Sequence, residues 1–402
     1  MKHEVTMKAH STDCLLAKTA QLLNKIQKSG QWNGAFYSNY LVFLFNHLSE
    51  LERAKRLYYS HDKASLDVFY WRQEYLILSS VFPKGSWPVS IDFVPFTQEE
   101  WHALEEKAKT LSASDISASY LLDIIDTWLL EAYALPGICE AQAGDIVLDC
   151  GAYTGNTSIY FSQKIGATGH VYGFEPSEDI FTRYAAHVAN YDNITPFHTA
   201  VSNVTGHISF SADNAPDSHI TDAGKKVPSI AIDDFVTNTN LPKVNFIKMD
   251  IEGAEEAALN GARNTIKKYR PHMAISIYHK NEDIYTLPAL IHSIYPGYTF
   301  YLRHYSNEIY ETVLYCQPSD TCPETLVQND VPEEYTKLYA AISMFSKAVT
   351  VFDTWQCNYL LKKKDDDFIE LQKKHIETLD TLKKYMETNA LLKKKLLKLH
   401  TR

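Results

Sequence analysis

The segment from Ile146 to Thr157 reads Ile-Val-Leu-Asp-Cys-Gly-Ala-Tyr-Thr-Gly-Asn-Thr. A short apolar run ends in an acid and a glycine, a second glycine follows four residues later, and a helical pattern comes next. This order predicts a strand, a tight turn and the N-terminus of a helix. In an open parallel sheet, such a turn presents its backbone to a nucleotide-like ligand at the carboxyl edge.

A second segment, Val171-Tyr-Gly-Phe-Glu175, repeats the plan and again ends a predicted strand in a carboxylate. A carboxylate at that position can accept hydrogen bonds from both hydroxyls of a ribose. Dinucleotide loops usually read G-x-G-x-x-G, whereas Gly151 and Gly155 here enclose three residues without a middle glycine. Asp149 would repel a phosphate and suits a cationic ligand, so the two segments together predict S-adenosylmethionine.

The pattern of predicted helices and strands divides the chain into three parts. Residues 1–140 show helical periodicity, residues 141–320 alternate strands with helices, and residues 321–402 become helical again. The predicted strands are 146–150, 170–175, 194–201, 244–249, 272–278, 298–303 and 309–316, and the predicted helices between them are 155–165, 177–191, 254–269 and 282–294. Seven strands with intervening helices predict an α/β, Rossmann-like doubly wound sheet. The last two strands are close enough for a hairpin, which makes one strand antiparallel, as in class I methyltransferases.

Three further features extend this outline. A helix predicted from Tyr120 to Tyr133 should stop at Pro136-Gly137. Residues 207–210 and 227–232 alternate like a small hairpin, joined by the polar loop 212–226, which is either a lid or a plain connection. Residues 361–402 carry twelve basic and seven acidic residues with an imperfect heptad. We expect this tail to pack on a neighbouring surface, and a homodimer through it stays open.

Composition excludes several classes of protein. With 402 residues, 45% hydrophobic and 22% charged, the chain resembles ordinary globular proteins, and its formal net charge of −10 argues against a general nucleic-acid binder. Six cysteines without a C-x-x-C pair predict neither a disulfide framework nor a zinc cluster. The first residues lack a continuous apolar core and no run could span a bilayer, so we expect a cytoplasmic protein without a transmembrane segment.

The residues that could perform chemistry lie at the predicted carboxyl ends of the fourth and fifth strands. Asp250 ends the fourth strand, beside the first, and His279 ends the fifth. An alcohol needs its proton removed before it can attack a methyl group, and these two residues are the candidate bases. Glu252, Arg303 and His304 are candidate acceptor contacts. Glu252 and Glu255 are oxygen ligands in principle, but their spacing with Asp250 matches no recognised cage, so no metal is predicted.

These motifs resemble the FkbM family of methyltransferases. The resemblance rests on residues 149–156, on Gly173-Phe-Glu-Pro176, on Ile232-Asp-Asp-Phe235 and on the Lys-x-Asp-x-Glu-Gly-x-Glu signature at 248–255, and it covers about residues 120–318. It implies S-adenosylmethionine as the donor and a hydroxyl of a sugar, glycan or natural product as the acceptor. The predicted cofactor contacts are Asp149, Gly151, Ala152, Tyr153, Thr154, Gly155, Asn156, Glu175, Pro176 and Asp250. Many relatives carry an acid before the strand-five histidine, but this chain has Ser276-Ile-Tyr-His279, which leaves the base open.

Two other functions remain open on the sequence. A nicotinamide-dependent oxidoreductase would use the same kind of sheet, although the missing middle glycine counts against it. A non-catalytic protein could bind the adenosyl ligand only to steady a scaffold made by the helical head and tail.

Overall fold

The computed structural model describes residues 15–29, 39–82, 86–91, 93–112, 121–210 and 225–319. All of them fall within one compact unit, Met1–Ser343, and the second unit, Met344–Arg402, lies outside them. The predictions for the tail 321–402, for a dimer formed through it and for most of the loop 212–226 therefore lie outside the described residues. Within these ranges, no helix is both long and apolar enough to cross a bilayer.

The described residues form twelve α-helices, ten strands and two π-helical turns. The helices are α1 Leu15–Lys28, α2 Asn39–Asn46, α3 Leu48–Ala54, α4 Lys63–Val81, α5 Gln98–Ser112, α6 Leu121–Ile124, α7 Asn156–Ile165, α8 Glu178–His187, α9 Ile232–Asn238, α10 Glu255–Asn260, α11 Arg263–Tyr269 and α12 Asp283–Ile294. The strands are β1 Ile146–Cys150, β2 His170–Phe174, β3 Ile194–Phe197, β4 Ala200–Ser202, β5 Gly206–Phe210, β6 Lys225–Ala231, β7 Phe246–Met249, β8 His272–Ser276, β9 Tyr298–His304 and β10 Thr312–Pro318. The π-helical turns are Lys55–Tyr59 and Ile125–Leu129.

Seven of the strands form the main sheet in the order β3-β2-β1-β7-β8-β10-β9. Neighbours from β3 to β8 pair in parallel, whereas β10 runs antiparallel to both β8 and β9. This confirms the predicted doubly wound sheet with one reversed strand, the class I methyltransferase arrangement. Strand order reverses between β1 and β7, and ligands of such sheets bind outside the carboxyl ends at that switch point.

The structure corrects three predicted elements. The strand predicted over 194–201 turns after Phe197 and divides into β3 and β4, because Thr199 N–H bonds back to the Phe197 carbonyl. Strand β4 then joins the predicted hairpin, so β5 and β6 belong to a three-stranded sheet. The helix predicted over 254–269 is two helices, α10 and α11. The helix predicted over 120–133 ends at Leu129, well before Pro136, in a π-helical turn.

Both faces of the main sheet are buried, as is usual for parallel sheets. On one face, the N-terminal helices α1 to α4 share a hydrophobic core with the sheet. This core contains Leu51 and Phe69 from the helices and Ile275 and Leu302 from the strands. The other face packs Val147 and neighbouring side chains against α7. The N-terminal region is therefore helical, as predicted, and it completes the core under β8 and β9.

The glycine that ends β1 has a conformation and a contact that other residues cannot reproduce. Gly151 has φ of +81°, and a Cβ atom there would lie 1.8 Å from the Asp250 carbonyl oxygen. Gly166 has φ of +66° but open space around the same position. Left-handed backbone costs a non-glycine residue about 1–2 kcal/mol, and only Gly151 adds a backbone collision.

We expect Gly151→Ala to lower the free energy of unfolding by roughly 1–3 kcal/mol more than Gly166→Ala, since overpacking adds to the backbone strain. Chemical denaturation of both variants measures the difference. Equal losses would show that the β1–β7 approach tolerates a side chain.

Candidate active site

The turn after β1 is fixed by backbone hydrogen bonds to the neighbouring strand. The N–H groups of Gly151 and Ala152 both donate to the Phe174 carbonyl at 3.0 Å, and Tyr153 adopts φ of +48°. The turn therefore stands beside the end of β2, where Glu175 follows. The sequence predicted this neighbourhood, because the carboxyl ends of adjacent parallel strands meet at one edge.

A buried ion pair lies beneath this turn. Lys248 Nζ of β7 lies 3.3 Å from Asp149 Oδ1 of β1, with side chains 2% and 0% exposed, and also donates to the Gly151 carbonyl at 2.6 Å. The other carboxylate oxygen of Asp149 accepts hydrogen bonds from Thr157 and Ser158 at 2.8 and 2.6 Å. Asp149 therefore supports the turn from within the protein.

Above the turn lies a cavity of about 790 Å³. Most of the predicted cofactor and acceptor residues line it together with the tip of α6 and the loop before β10. The predicted residues found there are Gly151, Ala152, Tyr153, Thr154, Asn156, Glu175, Pro176, Asp250, Glu252 and His279. Asp149 and Gly155 are not among the lining residues: Asp149 is paired below the turn, and a Cβ at Gly155 would meet the Tyr184 ring at 2.6 Å. Their contact with a ligand stays a prediction.

The part of the cavity next to β2 has polar groups suited to an adenosyl ligand. Glu175 is 6% exposed, accepts a hydrogen bond from Ser177 N–H at 2.7 Å, and has its pKa raised to about 7, chiefly by burial. Thr154 Oγ1 and Asn156 Oδ1 are buried and have no hydrogen-bond partner among the described residues. Buried polar atoms without partners are costly, so this end of the cavity fits a polar ligand that would satisfy them.

Asp250 lies on the opposite wall, immediately after β7, and is held by two tyrosines. Tyr133 donates a hydrogen bond to Asp250 Oδ2 at 2.8 Å, and Tyr278 donates to Oδ1 at 3.2 Å. Burial favours the neutral acid, but the charges of His279 and Lys248 and these two hydrogen bonds hold the pKa of Asp250 below its ordinary value. Asp250 is therefore an ionised and well-oriented carboxylate.

His279, the other predicted base, is surrounded by acids. Its Nδ1 lies 3.0 Å from Glu255, and its Nε2 lies 3.3 Å from Glu252 and 3.4 Å from Asp250. Burial lowers the pKa of His279, but the acidic neighbours outweigh it and raise the pKa to about 11. This arrangement therefore favours the protonated form of His279, which would have to lose that proton before it could act as a base.

Three acids at the other side of the cavity were missed from the sequence. Asp123 and Asp126 come from α6 and the π-helical turn, and Glu311 comes from the loop before β10. Burial is the main reason that the pKa of Asp123 rises to about 6 and that of Asp126 to about 8, and it also raises the pKa of Glu311. The i, i+3 spacing of the first two acids on one helical face was the available signal.

Comparison with known proteins identifies the domain that carries this cavity. The methyltransferase FkbM domain family matches residues 149–306. Residues 149–306 are therefore similar to the FkbM methyltransferase domain. Its relatives include the hexuronic acid methyltransferase AglP of Haloferax volcanii, 29% identical over 133 residues, which are 32% of this chain and 54% of that protein.

Two further relatives extend the comparison of the FkbM domain. The 2-O-methyltransferase NoeI of Sinorhizobium fredii is 24% identical over 147 residues, 31% of this chain and 60% of that protein. The chain therefore spans little more than half the length of the two relatives it matches. A crystal structure of methyltransferase FkbM from Methylobacillus flagellatus is 20% identical, with a TM-score of 0.48 over 68% of this chain and 60% of that one.

Two predicted acceptor residues of the FkbM domain lie away from the cavity. Arg303 forms an ion pair with Asp62, the N-cap of α4, at 2.6 Å. His304 is buried, bonds to Thr312 at 2.8 Å and packs on Trp71. These two β9 side chains, which the sequence suggested as acceptor contacts, therefore contact residues of the N-terminal helices and of β10.

The buried ion pair of Lys248 and Asp149 beneath the turn after β1 yields a stability prediction. Lys248→Met leaves Asp149 charged and unpaired inside the protein, and we expect a loss of about 3–5 kcal/mol in the free energy of unfolding. Lys164→Met removes the surface pair with Glu131, both about 40% exposed, and should cost less than about 1 kcal/mol. Urea denaturation compares the two, and similar losses would contradict the proposed importance of the buried pair.

Proposed function

We propose that this protein is an S-adenosylmethionine-dependent O-methyltransferase whose acceptor is a hydroxyl of a sugar, glycan or natural product. The observation that carries the proposal is the single cavity in which Glu175 with the β1 turn lies at one end and Asp250 at the other. The FkbM domain supports methyl transfer, and the relatives' names, a hexuronic acid methyltransferase and a 2-O-methyltransferase, support a sugar hydroxyl.

The residues of the β1 turn and of Glu175 would bind the cofactor. S-adenosylmethionine supplies a methyl group on a cationic sulfur when it is bound. The Glu175 carboxylate would accept the ribose hydroxyls, and Thr154 and Asn156 would gain partners for their unsatisfied oxygens. The acids around the cavity suit a ligand that carries positive charge.

Asp250 would orient the acceptor hydroxyl. Tyr133 and Tyr278 fix its carboxylate, so that the acceptor oxygen is held in one position rather than sampling many. His279, protonated between Glu252 and Glu255, would stabilise the Asp250 carboxylate by charge, since its Nε2 lies 3.4 Å from Asp250 Oδ1. Wall residues from α6 would exclude water from the reacting groups.

The two competing functions make different binding predictions. An oxidoreductase should bind NAD⁺ or NADP⁺ more tightly than S-adenosylhomocysteine. Calorimetry with both ligands, followed by incubation with a deuteromethyl donor and a panel of uronic acids, neutral sugars and glycans, tests the proposal by mass spectrometry. Tighter binding of the dinucleotide than of S-adenosylhomocysteine would contradict the proposal. So would the absence of methyl transfer both to this panel and to the hydroxyl compounds of a cell extract.

Glu175 provides a prediction about cofactor affinity. We expect Glu175→Gln to weaken S-adenosylhomocysteine binding by about 1–3 kcal/mol, because charge-assisted hydrogen bonds to the ribose are lost. The ionised carboxylate is the binding form and its pKa is about 7, so wild-type affinity should be roughly tenfold weaker at pH 6 than at pH 8, and the variant should lose this dependence.

The control for this prediction is Glu178→Gln, three residues along the chain, where the carboxylate is exposed and paired with Lys225. It should leave the affinity and its pH dependence unchanged. Calorimetric titrations at both pH values measure all three proteins, and equal pH profiles in the wild type and Glu175→Gln would remove Glu175 from the ribose site.

Asp250 separates an enzyme from a non-catalytic binding scaffold. We expect Asp250→Asn to slow methyl transfer at least about a hundredfold while cofactor affinity changes little, because the substitution removes charge at the acceptor and preserves shape. Glu256→Gln, on the exposed side of α10, is the matched control. Unchanged turnover in Asp250→Asn would remove this carboxylate from the reaction.

A further inference from the structure

The groups around His279 form a cluster whose contacts the proposed reaction does not explain. Asp250 follows β7, Glu255 opens α10 and His279 lies beyond β8, so three separate elements converge there. One ligand atom from each of the three side chains lies within 4.8 Å of the other two. The His279 side chain is 8% exposed and that of Glu255 is 0% exposed.

This cluster contains buried polar atoms that lack hydrogen bonds. Although Nδ1 and Nε2 of His279 lie 3.0–3.4 Å from carboxylate oxygens, neither makes a hydrogen bond of acceptable geometry within the described part of the chain. Glu255 Oε1 accepts the Ile251 N–H at 2.9 Å, but its Oε2 has no partner there either. The carboxylates surround the imidazole off its N–H axes and leave those directions open, and a metal ion bound along one of them would displace the proton of His279.

The charge of the cluster also favours a cation. Asp250, Glu252 and Glu255 all surround one imidazole. The nearby Lys248 already pairs with Asp149 and the Gly151 carbonyl. Buried carboxylates need paired charges or metal coordination. A single imidazolium is a small compensation for the fully buried Glu255, the partly buried Asp250 and the more exposed Glu252 together.

We propose that Asp250, Glu255 and His279 bind a divalent transition-metal ion, such as Mn²⁺ or Zn²⁺. Metal–ligand bonds of about 2.0–2.2 Å place neighbouring ligand atoms roughly 3–3.6 Å apart. The three ligand atoms lie within 4.8 Å of one another, so their side chains would need to close by about 1 Å around the ion. A mixture of one imidazole and two carboxylates suits these ions better than Mg²⁺, which prefers oxygen ligands alone.

The ion would face the cavity. Asp250, Glu252 and His279 line it, whereas Glu255 closes the site from the protein side. Glu252, with Oε2 3.3 Å from His279 Nε2, offers a further oxygen at the rim. An ion there would hold an acceptor hydroxyl beside Asp250; this role rests on the proposed function, but the binding of the ion does not.

Direct measurement of ion binding tests the proposal. The full chain is stripped with a chelator and titrated with Mn²⁺ by electron paramagnetic resonance and with Zn²⁺ by calorimetry. We expect one saturable ion per chain, with affinity reduced at least tenfold in Glu255→Gln and His279→Gln and unchanged in Glu256→Gln. Circular dichroism and S-adenosylhomocysteine binding identify variants that are folded.

Two outcomes would overturn the metal site. One is no saturable ion binding to the wild-type chain, and the other is wild-type ion affinity in the folded variants Glu255→Gln and His279→Gln. In either case the cluster is only an internal network of ion pairs around a protonated histidine. Methyl transfer assayed on the same stripped and reloaded samples separates the two proposals, because activity without bound ion keeps the proposed function and rejects the ion's role in it.

Discussion

The ion pair between Lys248 and Asp149 is the interaction on which the site depends. These residues are direct partners in the register of β1 and β7, so the pair joins the two strands at the switch point of the sheet. Removing charges from water costs several kcal/mol per ion unless each has a partner. Lys248 has three: the Asp149 carboxylate, the Gly151 carbonyl and the face of the Tyr133 ring. Strand pairing, the shape of the turn and the position of Tyr133 are thereby set together.

The two ends of the cavity above this ion pair differ in charge. Near β2, Glu175 and unpaired side-chain oxygens make a polar surface of few charges. Toward β10, Asp123, Asp126 and Glu311 lie near Asp250. Burial is the main cause of their raised pKa values, and repulsion adds to it: Asp250 raises the pKa of Asp123, and Asp123 and Asp250 raise those of Asp126 and Glu311. A carboxylate cluster of this kind lowers its energy by taking up protons or by binding a cation. A cationic methyl donor bound between the two ends is therefore favoured by the field of the protein itself.

The sequence pattern predicted the parts of the site that lie at the ends of the parallel strands. The turn after β1, the placement of Glu175 and the convergence of Asp250 with β1 follow from strand ends meeting at one edge, and the seven-stranded order confirms them. The sequence neighbours of Asp149 give no sign of its partner Lys248, which belongs to a strand far along the chain. The partners of Arg303 and His304 could not be predicted for the same reason, since Asp62 and Trp71 lie in the N-terminal helices.

Under the proposed function, we expect acceptor choice to depend in part on residues outside the segment that the family model matches. The match to the FkbM domain begins at residue 149, whereas Asp123, Asp126 and Tyr133 form one wall of the cavity from earlier in the chain. The two curated relatives align with this chain over 54% and 60% of their own lengths. Under the proposed function, Asp250 and the ionised form of Asp123, whose pKa is about 6, would repel the carboxylate of a hexuronic acid, so we expect a neutral acceptor to be preferred over a uronate.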